Sequence, residues 1–245
     1  MVKRTGLKIP SLSGFRGSNP LSCIKMRKLT RKLFKEMGWW VFTWLLLWFI
    51  IFALRIKGFD YTTHPVIISF AFLFSSIIVF SIFFRHYFVF KTKFNWIPFA
   101  VLAVSILVAF SGFYLISNNY EIPQTLLDIS KLDSFFDMSY EYLFAKLFDI
   151  LFQQTLIVLL AAFLVENKAG IRKSIFFFVI LFFIVHLPVL FTWNSMVGLY
   201  YLTASVAAGI IFPLLIEKLK YGYIYSYIIH YGFYVISGFL IWIIF

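Results

Sequence analysis

The chain has 245 residues, of which 62% are hydrophobic, 22% aromatic and only 13% charged, and its mean hydropathy is +0.92. Soluble domains carry roughly 25% charged residues, so the composition excludes a soluble globular protein and indicates an integral membrane protein. The formal net charge is +12, and the single cysteine, Cys23, excludes an intramolecular disulfide and a cysteine-rich metal site.

The positive charge is concentrated at the N-terminus, in residues 1–37. One acidic residue, Glu36, stands there against ten of the 22 basic residues: Lys3, Arg4, Lys8, Arg16, Lys25, Arg27, Lys28, Arg31, Lys32 and Lys35. Basic residues before a first membrane helix hold that end in the cytoplasm and attract anionic lipid. No aromatic stacking pattern accompanies these charges, so we expect no nucleic-acid partner. We therefore predict a basic cytoplasmic arm that contacts membrane lipids, followed by a membrane domain over residues 38–245.

Seven apolar segments follow, each close to the roughly 20 helical residues that cross a bilayer. They cover residues 38–55, 64–84, 97–116, 142–165, 174–192, 197–216 and 223–244. The alternating pattern of membrane β-strands is absent from the sequence. The predicted fold class is therefore all-α, a polytopic bundle of about seven transmembrane helices.

The distribution of charge between these segments predicts their orientation. With the N-terminus inside, 18 basic residues fall on the inner side and three on the outer side, which satisfies the positive-inside rule. Tryptophans near segment ends are typical of an interfacial belt, and we expect that position for Trp39, Trp40, Trp44, Trp96 and Trp193.

The fourth segment contains the stretch KLFDILFQQ, residues 146–154, whose polar and charged side chains are costly to place in a bilayer. Lys146, Asp149 and Gln153 recur at helical spacing and share one face of the helix. Two interpretations remain open. Either Lys146 neutralises Asp149 while the glutamines bond to neighbouring helices, or the polar stripe lines a water-filled cavity.

Two later segments each carry a histidine within the predicted span. His186 is followed by Pro188, which removes a backbone hydrogen bond and tends to kink the helix. His230 shares a helical face with Tyr234, four residues later. A single histidine in a membrane helix can simply hydrogen-bond to another helix.

Asp149, His186 and His230 together form a set of groups with three chemical uses. They can hold Zn²⁺ with a bound water, or activate water and stabilise an oxyanion without a metal, or relay protons in a transporter. Spacing does not choose among these uses, although the absence of HExxH excludes the zincin arrangement.

The order of these motifs resembles the CPBP family of membrane proteases, also called the ABI family, which includes CAAX prenyl proteases and bacteriocin-processing enzymes. The family pattern is EExxxR in one helix, FxxxH in the next and HxxxN in a later one. The corresponding segments here are FDILFQ at 148–153, FFIVH at 182–186 and HYGFY at 230–234. The similar part covers roughly residues 140–240.

Four positions differ from the family pattern. Phe148 stands at the first glutamate, Asp149 at the second, Gln153 at the arginine and Tyr234 at the asparagine. Tyrosine can donate a hydrogen bond where asparagine would, whereas aspartate is one methylene shorter than glutamate.

The resemblance implies an intramembrane endopeptidase that cuts a peptide or membrane-protein substrate. Asp149 and His186 would activate water, His230 and Tyr234 would stabilise the oxyanion, and Gln153 would take the arginine position. A divalent metal such as Zn²⁺, held by Asp149, His186 and His230, is the alternative to metal-free hydrolysis. Two other functions remain open: a non-catalytic scaffold or binding protein and, less favoured, a transporter. The family and the topology imply a bacterial or archaeal plasma membrane.

Overall fold

The computed structural model describes residues 20–83, 95–124, 139–192 and 195–244. Within these ranges the chain forms helices joined by short connections, without a β-strand. The helices are α1 (Pro20–Ile56), α2 (Pro65–Phe83), α3 (Ile97–Asn119), α4 (Tyr140–Glu166), α5 (Ile171–His186), α6 (Val189–Thr192), α7 (Ser195–Lys218) and α8 (Gly222–Ile244). The seven predicted spans fall on α1 to α4, on α5 with α6, on α7 and on α8, so the predicted all-α bundle is confirmed.

The helices have the length and composition that a membrane requires. Among the described residues, six segments meet this criterion: Phe34–Ile56, Pro65–Phe83, Ile97–Asn119, Tyr140–Glu166, Ile171–Phe191 and Gly198–Lys218. Helix α8 adds 23 residues at the seventh predicted span. The protein is therefore a polytopic helical membrane protein.

Helix α1 is longer than the predicted first span because it begins at Pro20. Proline suits the first turn of a helix, where its missing N–H is not needed. Residues 20–37 of the basic arm are thus the N-terminal part of α1, and residues 1–19 lie outside the described residues.

Helix α4 lies at the centre of the bundle. It contacts all six of the other long helices, and 67% of its most apolar window is buried, compared with at most 33% in the other five candidate spans. Ser139 caps its start by accepting a hydrogen bond from the Tyr142 backbone N–H. Because protein surrounds α4, its polar side chains can pair with protein groups instead of facing lipid.

The fifth predicted span is broken close to its histidine. Helix α5 ends at His186, and α6 begins at Val189 after a turn at Leu187 and Pro188. Pro188 has no N–H to donate to the preceding turn, which accounts for the break. His186 therefore lies at the end of a helix, next to an irregular segment.

Candidate functional site

Lys146 and Asp149 form a buried ion pair on α4. Lys146 Nζ lies 2.7 Å from Asp149 Oδ2, and the two side chains are 0% and 3% exposed. Gln153 Nε2 donates to Asp149 Oδ1 at 2.7 Å, and the Tyr61 hydroxyl donates to Oδ2 at 3.1 Å. Both carboxylate oxygens are engaged and the charge is compensated inside the protein, which a buried carboxylate requires. Two interpretations of the polar stripe on α4 were open, and these contacts agree with the one in which Lys146 neutralises Asp149.

Gln154 makes the hydrogen bond to a neighbouring helix that the sequence predicts for the glutamines. Its Nε2 donates to Ser226 Oγ, and it also lies 3.4 Å from the Tyr223 carbonyl oxygen. Both partners belong to α8, so this amide ties the central helix to the helix that carries His230.

Tyr61 reaches the ion pair from the α1–α2 connection. Asp60 shapes this turn: its Oδ1 accepts hydrogen bonds from the backbone N–H groups of Thr62 and Thr63 at 2.9 and 2.7 Å. Burial, helped by the charge of Asp149, raises the pKa of Tyr61 well above its ordinary value, so the hydroxyl remains a proton donor. Tyr61 is not predictable as a site residue from the sequence, because it lies between spans and belongs to no periodic pattern.

A cavity of about 310 Å³ lies between α1, α5, α7 and α8. Its polar lining consists of His186, His230 and Tyr234, with Tyr201 and Ser205, and the other lining residues are apolar. The structure thus brings three of the five predicted catalytic residues to one cavity. The other two, Asp149 and Gln153, belong to the ion-pair cluster and do not line it.

His186 has a defined tautomer, assigned from its hydrogen bond. Its Nδ1 lies 2.8 Å from the Phe182 carbonyl oxygen. A carbonyl oxygen only accepts, so Nδ1 carries the proton and Nε2 is the nitrogen that can accept one in the neutral ring. The ring of Trp44 packs edge-on against the imidazole, with the ring centroids 6.0 Å apart.

His230, which also lines the cavity, packs against two aromatic rings. Its ring centroid lies 5.4 Å from that of Phe212 and 5.8 Å from that of Tyr234. Its Nδ1 is buried and has no hydrogen-bond partner among the described residues. Buried polar atoms are normally paired, so His230 retains a nitrogen that can still bind a polar group.

Trp44 lies between the two parts of the site. It borders the histidine cavity and also a small void beside Asp149 and Gln153. The predicted interfacial position is wrong for both Trp40 and Trp44, which are 1% and 2% exposed. Their four-residue spacing places both on the inner face of α1, and Trp40 Nε1 donates to the Leu156 carbonyl oxygen at 2.7 Å.

The two other described tryptophans predicted at the interface are not buried in the core like Trp40 and Trp44. Trp39 and Trp96 are exposed on the bundle surface, and Trp193 lies outside the described residues. The shared i, i+4 spacing of Trp40 and Trp44 was the sequence signal that could have indicated a core position.

The predicted metal ligands do not form a ligand group. In the described part of the chain, no three His, Cys, Asp or Glu side chains are arranged to hold a metal ion. Both oxygens of Asp149 already have partners, whereas His186 and His230 lie in the neighbouring cavity. These three residues therefore do not fit the predicted zinc site.

The chain matches no protein-family model, no curated protein and no solved structure at a significant level. The resemblance to the CPBP family therefore rests on the three short motifs at residues 148–153, 182–186 and 230–234.

Proposed function

We propose that this protein is an intramembrane endopeptidase of CPBP type that hydrolyses a peptide bond of a membrane-associated or peptide substrate. The observation that carries the proposal is the placement of His186 and His230, from two different helices, in the lining of one cavity beside Tyr234. Two imidazoles and a phenol supply a base and hydrogen-bond donors, which are the groups that peptide hydrolysis requires.

The proposed reaction uses water as the nucleophile. His186 Nε2 accepts a proton from water, and the resulting hydroxide attacks the carbonyl carbon of the peptide bond. His230 and the Tyr234 hydroxyl donate hydrogen bonds to the oxyanion. The proton on His186 then passes to the departing amine as the C–N bond breaks, which restores the neutral ring.

Asp149 and Gln153 take a supporting role in this proposal. Because Asp149 is paired with Lys146 and does not line the cavity, we assign it to holding the ion-pair cluster. The family resemblance implies that Asp149 and His186 together activate water, whereas in this proposal His186 alone takes that role. Gln153 supports Asp149 through its amide.

The surroundings of the cavity suit a substrate from the membrane. The apolar lining favours apolar side chains or a membrane-embedded peptide. The family resemblance and the topology favour a bacterial or archaeal plasma membrane, and the basic residues in positions 1–37 favour a cytoplasmic N-terminus. The same residues support contact with anionic lipids.

A non-catalytic binding protein is the second candidate. It is favoured by the engagement of both Asp149 oxygens, which leaves His186 without a carboxylate partner in the proposed reaction. In that case the same cavity would bind a peptide or a membrane-protein segment without cutting it.

The two candidates differ in one assay. Purified protein in proteoliposomes is incubated with a library of membrane-spanning peptides, and the products are identified by mass spectrometry. The hydrolase predicts new termini with the wild type and with His64→Ala, because His64 is exposed outside the cavity. It predicts loss of these products with His186→Ala and with His230→Ala. Peptides retained by the wild type but left uncut would favour the binding protein.

A further inference from the structure

Aromatic rings surround the ammonium group of Lys146 in addition to its carboxylate partner. Nζ lies 5.3 Å from the ring centroid of Tyr61, 5.7 Å from that of Tyr142 and 4.1 Å from that of Tyr234. A cation within about 6 Å of an aromatic face is attracted by the ring quadrupole, and more strongly when both are desolvated. Among these three rings, Tyr234 is the closest to the cation and the one that lines the histidine cavity.

The ion pair contacts the lining of that cavity through Tyr234. The carboxylate of Asp149 faces the hydroxyl of Tyr61 and the amide of Gln153, whereas the ammonium of Lys146 lies against Tyr234. Lys146 is fully buried, so little solvent screens its charge. Tyr234 therefore experiences a nearby positive charge, and a positive charge stabilises electron density on the phenol oxygen.

We propose that Lys146 is a positioning residue that acts through Tyr234. Its cation holds the ring in place and polarises the phenol, so that the hydroxyl is a stronger hydrogen-bond donor towards the cavity. The proton stays on the tyrosine throughout. This inference rests on the proposed hydrolase function, in which Tyr234 donates to the oxyanion beside His230, whose ring is 5.8 Å away.

A spectroscopic experiment tests the polarisation without any substrate. Tyr234 is labelled with ¹³C at Cζ, whose resonance reports the electron density at the phenol oxygen, and the purified protein is compared with the double variant Lys146→Met and Asp149→Asn. Neutralising both partners avoids leaving one buried charge unpaired. We expect the resonance to shift towards that of a phenol in a neutral apolar solvent, while Lys146→Arg keeps it near the wild-type position. The control label is Tyr200, whose hydroxyl pairs with Ser237 and whose resonance should not shift.

A kinetic cycle tests the functional part, using a peptide that the wild type cleaves. Tyr234→Phe removes the donor and is expected to lower kcat roughly 100-fold, and the neutral double variant roughly 10-fold, both with little change in KM. If Lys146 acts through Tyr234, neutralising the pair in the Tyr234→Phe background lowers kcat no further. A residue that only supports the fold would give effects that multiply.

The outcomes separate this inference from the proposed function. An unchanged Tyr234 resonance in the folded double variant, or multiplying kinetic effects, would overturn the positioning role. If the wild type cleaves no peptide but the resonance shifts as expected, the hydrolase proposal fails while the polarisation of Tyr234 by Lys146 stands. If the double variant does not fold, Lys146→Gln with Asp149→Asn replaces it, because two amides can keep a hydrogen bond at these positions.

Discussion

Replacing Lys146 by methionine should destabilise the bundle strongly, because it removes one partner of a buried ion pair. The side chains of Lys146 and Asp149 are 0% and 3% exposed, so the remaining carboxylate would have no solvent to compensate it. Removing one member of such a pair costs about 3–5 kcal/mol. Protonating an aspartate that has the ordinary reference pKa costs about 4 kcal/mol at pH 7. The variant can lose no more stability than this, because the carboxyl group can take up a proton instead of remaining charged. We therefore expect the free energy of unfolding to fall by about 3–4 kcal/mol.

The assay is equilibrium unfolding in mixed micelles, with increasing SDS and tryptophan fluorescence as the signal. The matched control is Lys146→Met combined with Asp149→Asn, which removes both charges and should recover most of the loss, because a neutral replacement of a buried pair is often tolerated. A loss below about 1 kcal/mol in the single variant would place the pair in the range of solvated surface pairs. That result, or a double variant as unstable as the single one, would refute the description of this pair as desolvated.

Three further predictions concern packing, a helix contact and pH. Gly209→Ala should destabilise the protein, because a Cβ there would lie 2.9 Å from the backbone of α5. The control Gly232→Ala should not, because its Cβ would have no atom within 4 Å. Thermal unfolding in detergent compares the two variants. Gln154→Leu should lower the free energy of unfolding by about 1 kcal/mol, measured by SDS titration, because the amide loses Ser226 on α8. Burial raises the pKa of Asp60, but hydrogen bonds outweigh it and hold the pKa below its ordinary value. The stability that these hydrogen bonds give the turn is therefore fully present above about pH 4, and it is lost as the pH falls through the lowered pKa of Asp60 in the folded protein. Hydrogen exchange in residues 60–63, relative to α4, should therefore be faster at about pH 3 than at pH 6.

The helical architecture could be predicted from the sequence because hydrophobic length alone determines a membrane span. The pairing within residues 146–153 was also predictable, since helical spacing places Lys146, Asp149 and Gln153 on one face. Those signals are local, and each depends on residues within two turns of a single helix.

The details of the site depend on long-range packing and were not predictable in the same way. Tyr61 joins Asp149 across 88 positions of the sequence, and no spacing rule connects a loop residue to a distant helix. Trp44 was assigned to the membrane surface because tryptophan is common there, but its ring packs against His186 in the core. Side-chain chemistry grouped Asp149 with the histidines, whereas in the structure its carboxylate accepts a hydrogen bond from Tyr61 and does not line the cavity.

N-terminal peptide profiling of cell membranes tests most directly whether the two cavity histidines hydrolyse peptide bonds. Cells express either the wild type or the double variant His186→Ala and His230→Ala, with the abundance and thermal stability of both proteins matched. The proposal predicts new N-termini in the wild-type membranes that are missing with the variant, and these would also identify a substrate. Identical profiles from equally abundant, folded proteins would contradict hydrolysis and favour a binding protein.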